Sequence, residues 1–153
     1  MQNSKVVGLI NSLNVPEQEL FTAFLKSGYY SGDERIEKLY ALLRPFATGE
    51  SHPEPERSKL FRGCFGKKQF DDKKLRYLFS ELCLRLQEFI KIQGLKRQEA
   101  AADSILAKEL AIRGAQKAYK ALQLERKKKE EQESIQDAAF YFQNYEQEFI
   151  HLA

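Results

Sequence analysis

The sequence predicts an all-α fold: two helical hairpins in a repeat-like, α-solenoid-like arrangement, followed by a long antiparallel helical pair. Three observations carry that prediction. All four prolines, Pro16, Pro45, Pro53 and Pro55, lie in the first 55 residues, and the remainder is rich in Ala, Leu, Lys, Glu and Gln, which are strong helix formers. No stretch alternates apolar and polar residues with the two-residue period of a half-buried strand. Finally, one hairpin pattern is written twice. ELFTAFLKSGYYSGDERIEKLYALL, from Glu19 to Leu43, aligns with KLFRGCFGKKQFDDKKLRYLFSEL, from Lys59 to Leu82. Leu20, Phe21, Leu25 and Tyr30 fall on Leu60, Phe61, Phe65 and Phe70. After a one-residue gap, Ile36, Leu39, Tyr40 and Leu43 fall on Leu75, Leu78, Phe79 and Leu82, so the offset is 40 residues and then 39. A period near that length, built from two helices, is the signature of a helical solenoid.

The elements follow in order. A first helix is expected from Ser4 to about Leu13, with Val6, Leu9, Ile10 and Leu13 on one face. Pro16 suits the first turn of a second helix, capped by Asn14 or Val15 and running to Lys26. Gly28 and Gly32 supply its stop and the turn. Asp33 and Glu34 start a third helix, where negative charge favours the unpaired N–H groups, and Pro45 ends or bends it. Thr48 to Glu56 reads as a loop. A short helix follows, ending near Gly63 or Gly66. The next runs from Asp71 to about Ile92 on the stripe Leu75, Phe79, Leu82, Leu86 and Phe89, with Gly94 as its break.

From Arg97 to about Lys129 the spacing predicts one long helix on Ala101, Ile105, Ile112, Ala115, Tyr119 and Leu122, with Gly114 tolerated inside it. Ser134 with Asp137 resembles a capping box for a last helix on Ile135, Ala138, Phe142, Tyr145, Phe149 and Leu152. A short turn near 125–134 would fold these two into an antiparallel pair; the alternative is one continuous helix through that charged stretch. The expected organisation is one domain, with a duplicated-hairpin region over 1–95 and long helices over 96–153.

A chain of 153 residues with 42% hydrophobic and 31% charged residues is long and apolar enough to build a core. No apolar run reaches the ~20 residues of a membrane span, so no membrane partner is expected. The opening MQNSKVVGLINSLN lacks the pattern of a signal peptide. With two cysteines, a cytoplasmic location is the expectation.

The net charge of +3 is unevenly spread. Arg57, Lys59, Arg62, Lys67, Lys68, Lys73, Lys74 and Arg76 share a segment with only two Asp. Clustered cations of this kind neutralise phosphates or meet an acidic partner, and Phe65 and Phe70 interleave with them as stacking residues would. The plainer account is a solvated face, with both aromatics in the core. Arg126-Lys127-Lys128-Lys129 is followed at once by Glu130, Glu131 and Glu133. Pairs four residues apart make this a self-compensating exposed helix. Phe140 and Tyr141 lie partly off the last stripe and are candidate docking aromatics.

No catalytic, cofactor-binding or metal site is expected. Cys64 and Cys83 have no CxxC partner and no nearby His, so buried inert thiols are expected. His52 and His151 have no nucleophile at a suggestive spacing. The acidic pairs Asp33-Glu34 and Asp71-Asp72 sit at predicted helix starts and read as caps. The glycines form neither GxGxxG nor a P-loop.

KLFRGCFGKKQFDDKKLRYLFSELCLRLQEFI, from Lys59 to Ile90, together with DAAFYFQNYEQEF near the end, resembles a group of large uncharacterised helical proteins of Bacteroidetes-type bacteria. The resemblance implies an N-terminal helical region of a longer chain and brings no activity or site residues. The expected function is thus a non-enzymatic helical scaffold or protein-interaction module, bound to a protein partner or to the remainder of a longer chain. The alternative is a helical nucleic-acid-binding module using residues 57–76.

Overall fold

The computed structural model describes residues 2–27, 33–51 and 53–152, with side chains described for 5–27, 33–51 and 53–143. Seven helices follow one another: α1 (Gln2–Asn11), α2 (Val15–Lys26), α3 (Glu34–Ala47), α4 (Arg57–Phe65), α5 (Asp72–Arg97), α6 (Glu99–Ile112) and α7 (Gln116–Leu152). No strand occurs among the described residues, so the fold is all-α. The chain divides into two compact units, Met1–Gly94 and Leu95–Ala153.

The first unit is built on caps that the sequence spells out. Asn14 accepts from the Glu17 N–H at 2.9 Å, and the Glu17 carboxylate accepts from the Asn14 N–H at 3.0 Å. This reciprocal box, with Pro16 in the first turn, fixes where α2 starts. Asp33 accepts from the Arg35 N–H and starts α3. Its side-chain bond to the Arg35 guanidinium holds its carboxyl below the usual carboxylate range. Pro45 does not end α3, which runs on to Ala47. Proline lacks only its own N–H, and this near the C-terminus its ring interrupts a single bond. Gly66, at φ +77°, closes α4. Gly63 stays inside α4, where α3 passes so close that a Cβ would stand 2.5 Å from Leu42 Cδ1. Gly94 does not break α5, which continues to Arg97; one helical glycine costs only ~1 kcal/mol.

The core of this unit gathers Val6, Ile10 and Leu13 from α1 and its exit, Phe21 from α2, and Ile36, Leu39, Tyr40 and Leu43 from α3. Leu60, Phe61 and Cys64 join from α4, and Leu75, Leu78, Phe79, Leu82, Leu86 and Phe89 from α5. Phe21 sits at the centre, fully buried. Its ring meets Tyr40 edge-on at 4.8 Å and Phe89 at 5.3 Å. Burying a side chain of this size contributes ~1.5–3 kcal/mol, and each edge-to-face pair adds ~0.5–1.5 kcal/mol. Most positions paired by the sequence duplication share their burial, Phe21 with Phe61 and Ile36, Leu39, Tyr40 and Leu43 with Leu75, Leu78, Phe79 and Leu82. Leu20 is exposed where Leu60 is buried. Tyr30, Gly28 and Gly32 lie outside the described residues.

One buried polar side chain also ties α2 to α3. Gln18 donates to the Leu13 carbonyl and accepts from Arg44 Nε at 3.1 Å, while the Tyr40 hydroxyl donates to the Gln18 carbonyl at 3.0 Å. Arg44 continues to Glu19 at 2.6 Å. No buried side-chain N or O among the described residues is left without a partner, so this network escapes the penalty of an unsatisfied buried polar group.

The second unit corrects the predicted helix boundaries. The helix expected from Arg97 to Lys129 is interrupted, and the turn expected near 125–134 is absent. The break falls at Gly114, whose φ is +73°. The Ala115 N–H reaches the Leu110 carbonyl at 2.9 Å and the Gly114 N–H reaches Ala111 at 3.2 Å. That pair of bonds is a Schellman motif, which needs a residue without a Cβ penalty in the left-handed region. From Gln116 a single helix of 37 residues runs through the charged stretch. Helices α6 and α7 pack antiparallel about this turn. Lys129 pairs with Glu99 at 3.6 Å, and Arg126 donates to Ser104 at 3.2 Å; both contacts join residues lying at near-equal distances on either side of Gly114.

Candidate functional site

Two regions were singled out by the sequence, and the structure places both on the surface. In the basic segment, α4 turns Leu60, Phe61 and Cys64 inward, which leaves Lys59 and Arg62 exposed. Lys67 and Lys68 stand in the loop after Gly66, and Lys73 and Lys74 in the first turn of α5. Asp71 accepts from the N–H groups of both of those lysines, which supports the capping role expected of it. Arg57 and Arg76 are committed to Asp72, at 2.7 Å and 3.1 Å, and the Arg57 guanidinium lies over the Phe79 ring at 5.7 Å. The segment therefore divides into two structural arginines and six outward cations. Phe65 and Phe70 pack their rings on Phe61, at 4.5 Å and 5.4 Å, although Phe70 remains half open to solvent. Phe65 packs against the core, while Phe70 rests one side of its ring on Phe61 and keeps the other exposed.

The second region is α7. The inward positions of the hairpin are Ala107, which is buried, with Asp103 and Leu110 beside it, and Tyr119, Leu122 and Arg126 opposite. Ile105 and Ile112, expected on the packed face of α6, point outward instead. The kink at Gly114 resets the helix phase, so the stripe read across it does not exist as one face. Only Ala107 among the described side chains of Leu95–Ala153 is buried. A helical hairpin held by so little apolar burial is marginal by itself.

The first residue of α6 meets Lys129, so from Glu130 onward α7 runs beyond α6. Every described residue from Lys127 to Gln143 is exposed. Leu124, Ile135 and Phe142 are 62%, 69% and 64% exposed. At 3.6 residues per turn these three fall within about 20° of one line along the helix, on the side opposite Leu122 and Arg126. The apolar line thus faces away from α6. Phe140 and Tyr141 are also exposed, their rings 6.1 Å apart, but Phe140 falls on the same side as Leu122 and Tyr141 about 100° off the line, so neither belongs to it. The expected i,i+4 pairs of Arg126 with Glu130 and Lys127 with Glu131 do not close. Arg126 and Lys129 reach across to α6 instead, and among the described residues Lys127, Lys128, Glu130 and Glu131 make no ion pair. The side chains of Tyr145, Phe149, His151 and Leu152 lie outside the described set.

The remaining features carry little chemistry. Cys64 is buried, and burial pushes its thiol up to about 11, away from any reactive thiolate. Cys83 is half-buried beside an open depression of about 260 Å³ lined by Val6, Phe79 and Leu84. A wider depression of about 510 Å³ lies between α2 and α3. Its arginine, Arg44, is already held by Gln18 and Glu19. No group of three or more His, Cys, Asp or Glu suited to a metal ion occurs among the described residues. No helix among them is long and apolar enough to cross a membrane. His52 lies outside the described residues. Comparison with protein-family models, curated proteins and solved structures finds no match to this chain.

Proposed function

We propose that this chain is a non-enzymatic helical interaction module, in which the first unit is a repeat-like scaffold and α7 is the element that meets a protein partner. The observation that supports this most is the exposed apolar line Leu124, Ile135 and Phe142 on the face of α7 turned away from α6. The three residues recur at helical spacing on one face, with Lys128 and Glu131 between them, and a helix presenting apolar anchors along one face is a recurrent recognition element. The repeat-like reading of the first unit is supported by the matched burial of Phe21 and Phe61 and of the stripes on α3 and α5. The resemblance to larger helical proteins fits the same reading, with the remainder of a longer chain as the partner. Replacing Ile135 and Phe142 with serine removes apolar surface without touching the core. In a native extract, size-exclusion profiles then shift from an assembly to the free chain. An unchanged profile contradicts the proposal.

A second reading has a specific observation behind it. Lys73 and Lys74 stand in the first turn of α5, where the helix dipole already favours anions, and Lys59, Arg62, Lys67 and Lys68, close by in sequence, are all exposed. Exposed cations at this density are what a phosphate-backbone contact draws on. Fluorescence anisotropy against single- and double-stranded DNA and RNA tests it. Binding that falls steeply with salt and is lost on reversing Lys67 and Lys68 to Glu supports nucleic-acid recognition; no binding at low salt removes it.

A further inference from the structure

The charge on α7 is segregated along its axis. Before its middle stand Lys117, Lys120, Arg126, Lys127, Lys128 and Lys129, against the single acid Glu125. After it come Glu130, Glu131, Glu133 and Asp137, with no Lys or Arg from Glu130 to Ala153. A helix that is basic in one half and acidic in the other is complementary to itself when reversed. Laid parallel, two copies set like charges together; laid antiparallel, they set each basic half against an acidic one.

We propose that the face of α7 opposite α6 binds a second copy of this chain, antiparallel, with the two-fold axis passing between Lys129 and Glu130. The proposal rests on the interaction-module reading of α7 and names its partner. A two-fold contact is self-complementary: where one residue meets another, the second meets the first. About that axis, Lys128 of one copy lies opposite Glu131 of the other, Leu124 opposite Ile135, and Ala121 opposite Ala138. All six occupy the side that faces away from α6. These positions recur at steps of three and four, the spacing of a helical seam, and the charged pair at its centre sets the antiparallel orientation at some cost in stability. Phe142 falls opposite Lys117, whose methylene stem covers the ring. Among the described residues Lys128 and Glu131 make no ion pair, so both are available to the second copy. Helix α6 packs on the opposite side of α7 through Ser104 and Glu99 and leaves the seam open.

Sedimentation velocity of the purified full chain tests this. Wild-type protein is expected to run as a dimer at micromolar concentration. Lys128→Glu and Glu131→Lys each turn two symmetry-related attractions into repulsions on an exposed helix. Each alone is expected to weaken dimerisation roughly thirtyfold. The first variant is acidic at both seam positions and the second is basic at both. Mixed in equal amounts, they restore both attractions across the axis, and the dimer returns. A monomeric wild type overturns the second-copy proposal, as does a mixture that stays monomeric or a pair of variants that dimerise like wild type. A monomer in this experiment together with the assembly shift in native extract would leave the interaction-module reading standing with a different partner, so the two failures are separable.

Discussion

Replacing Gly114 with alanine is expected to open the α6–α7 hairpin toward one straight helix. Gly114 holds φ +73°, and a Cβ placed there would meet no atom within 4 Å. The whole effect is therefore in the backbone. An L-residue in the left-handed region costs roughly 1–2 kcal/mol, and alanine gains ~1 kcal/mol over glycine inside a helix. Together these move the balance between hairpin and straight helix by about 2–3 kcal/mol, roughly 30- to 150-fold. Little opposes that shift. Ala107 is the one buried residue among the described side chains of this unit, and the cross-hairpin pair of Lys129 with Glu99 is exposed, a class worth about 0–1 kcal/mol. Donor and acceptor dyes at Ala100 and Glu130, read by single-molecule energy transfer, report the change. In the hairpin these positions lie about 10 Å apart; in a straight helix they lie about 45 Å apart. Gly114→Ala should populate the long distance, and Gly114→Asn much less, since asparagine tolerates the left-handed region. A short distance retained in both variants, with unchanged thermal unfolding, refutes the reasoning.

Other consequences are open to direct measurement. Phe21→Ala empties the centre of the first unit and should lower its unfolding free energy by about 3–5 kcal/mol in denaturant titration. Tyr40→Phe removes the hydrogen bond to the Gln18 carbonyl and should cost about 1 kcal/mol in the same assay. The Cys64 thiol has an ordinary value of 9.0 and is raised by burial to about 11. Above pH 9 the unfolded chain releases that proton and the folded chain retains it, so stability falls as pH rises from 9 toward 11. Cys64→Ala should flatten that part of the pH–stability curve. Asp33→Ala removes the cap of α3 and should lower stability by about 1 kcal/mol.

Much of the first unit is legible in the chain itself. The capping residues Asn14 and Asp33 and the α5 stripe Leu75, Phe79, Leu82, Leu86 and Phe89 all occupy the places their spacing implies. The prolines and glycines are harder, because each has two meanings. Pro45 near a C-terminus and Gly94 within a strong apolar period are absorbed by the helix, while Gly114 within a weak one ends it. Local propensity is decided by what the flanking turns can bury, and around Gly114 that is little. The Gln18–Tyr40–Arg44 network has no sequence signature, since its members stand far apart along the chain and meet only after α2 and α3 pack. The basic segment is legible as charge, but the commitment of Arg57 and Arg76 to Asp72 is a tertiary fact. On α7, adding charges over the whole C-terminal part gives near neutrality and hides their segregation at Lys129 and Glu130. Only the position of α6 tells which face of α7 is left exposed.

The most direct test of α7 as the docking element is site-specific photo-crosslinking in the native host, with a benzophenone amino acid placed in turn at Ile135, at Phe142 and at Leu20. Leu20 is an exposed apolar residue of the first unit and serves as the control. Discrete protein adducts are predicted from Ile135 and Phe142 and none from Leu20. No adduct from α7, or the same adducts from all three positions, would contradict that role.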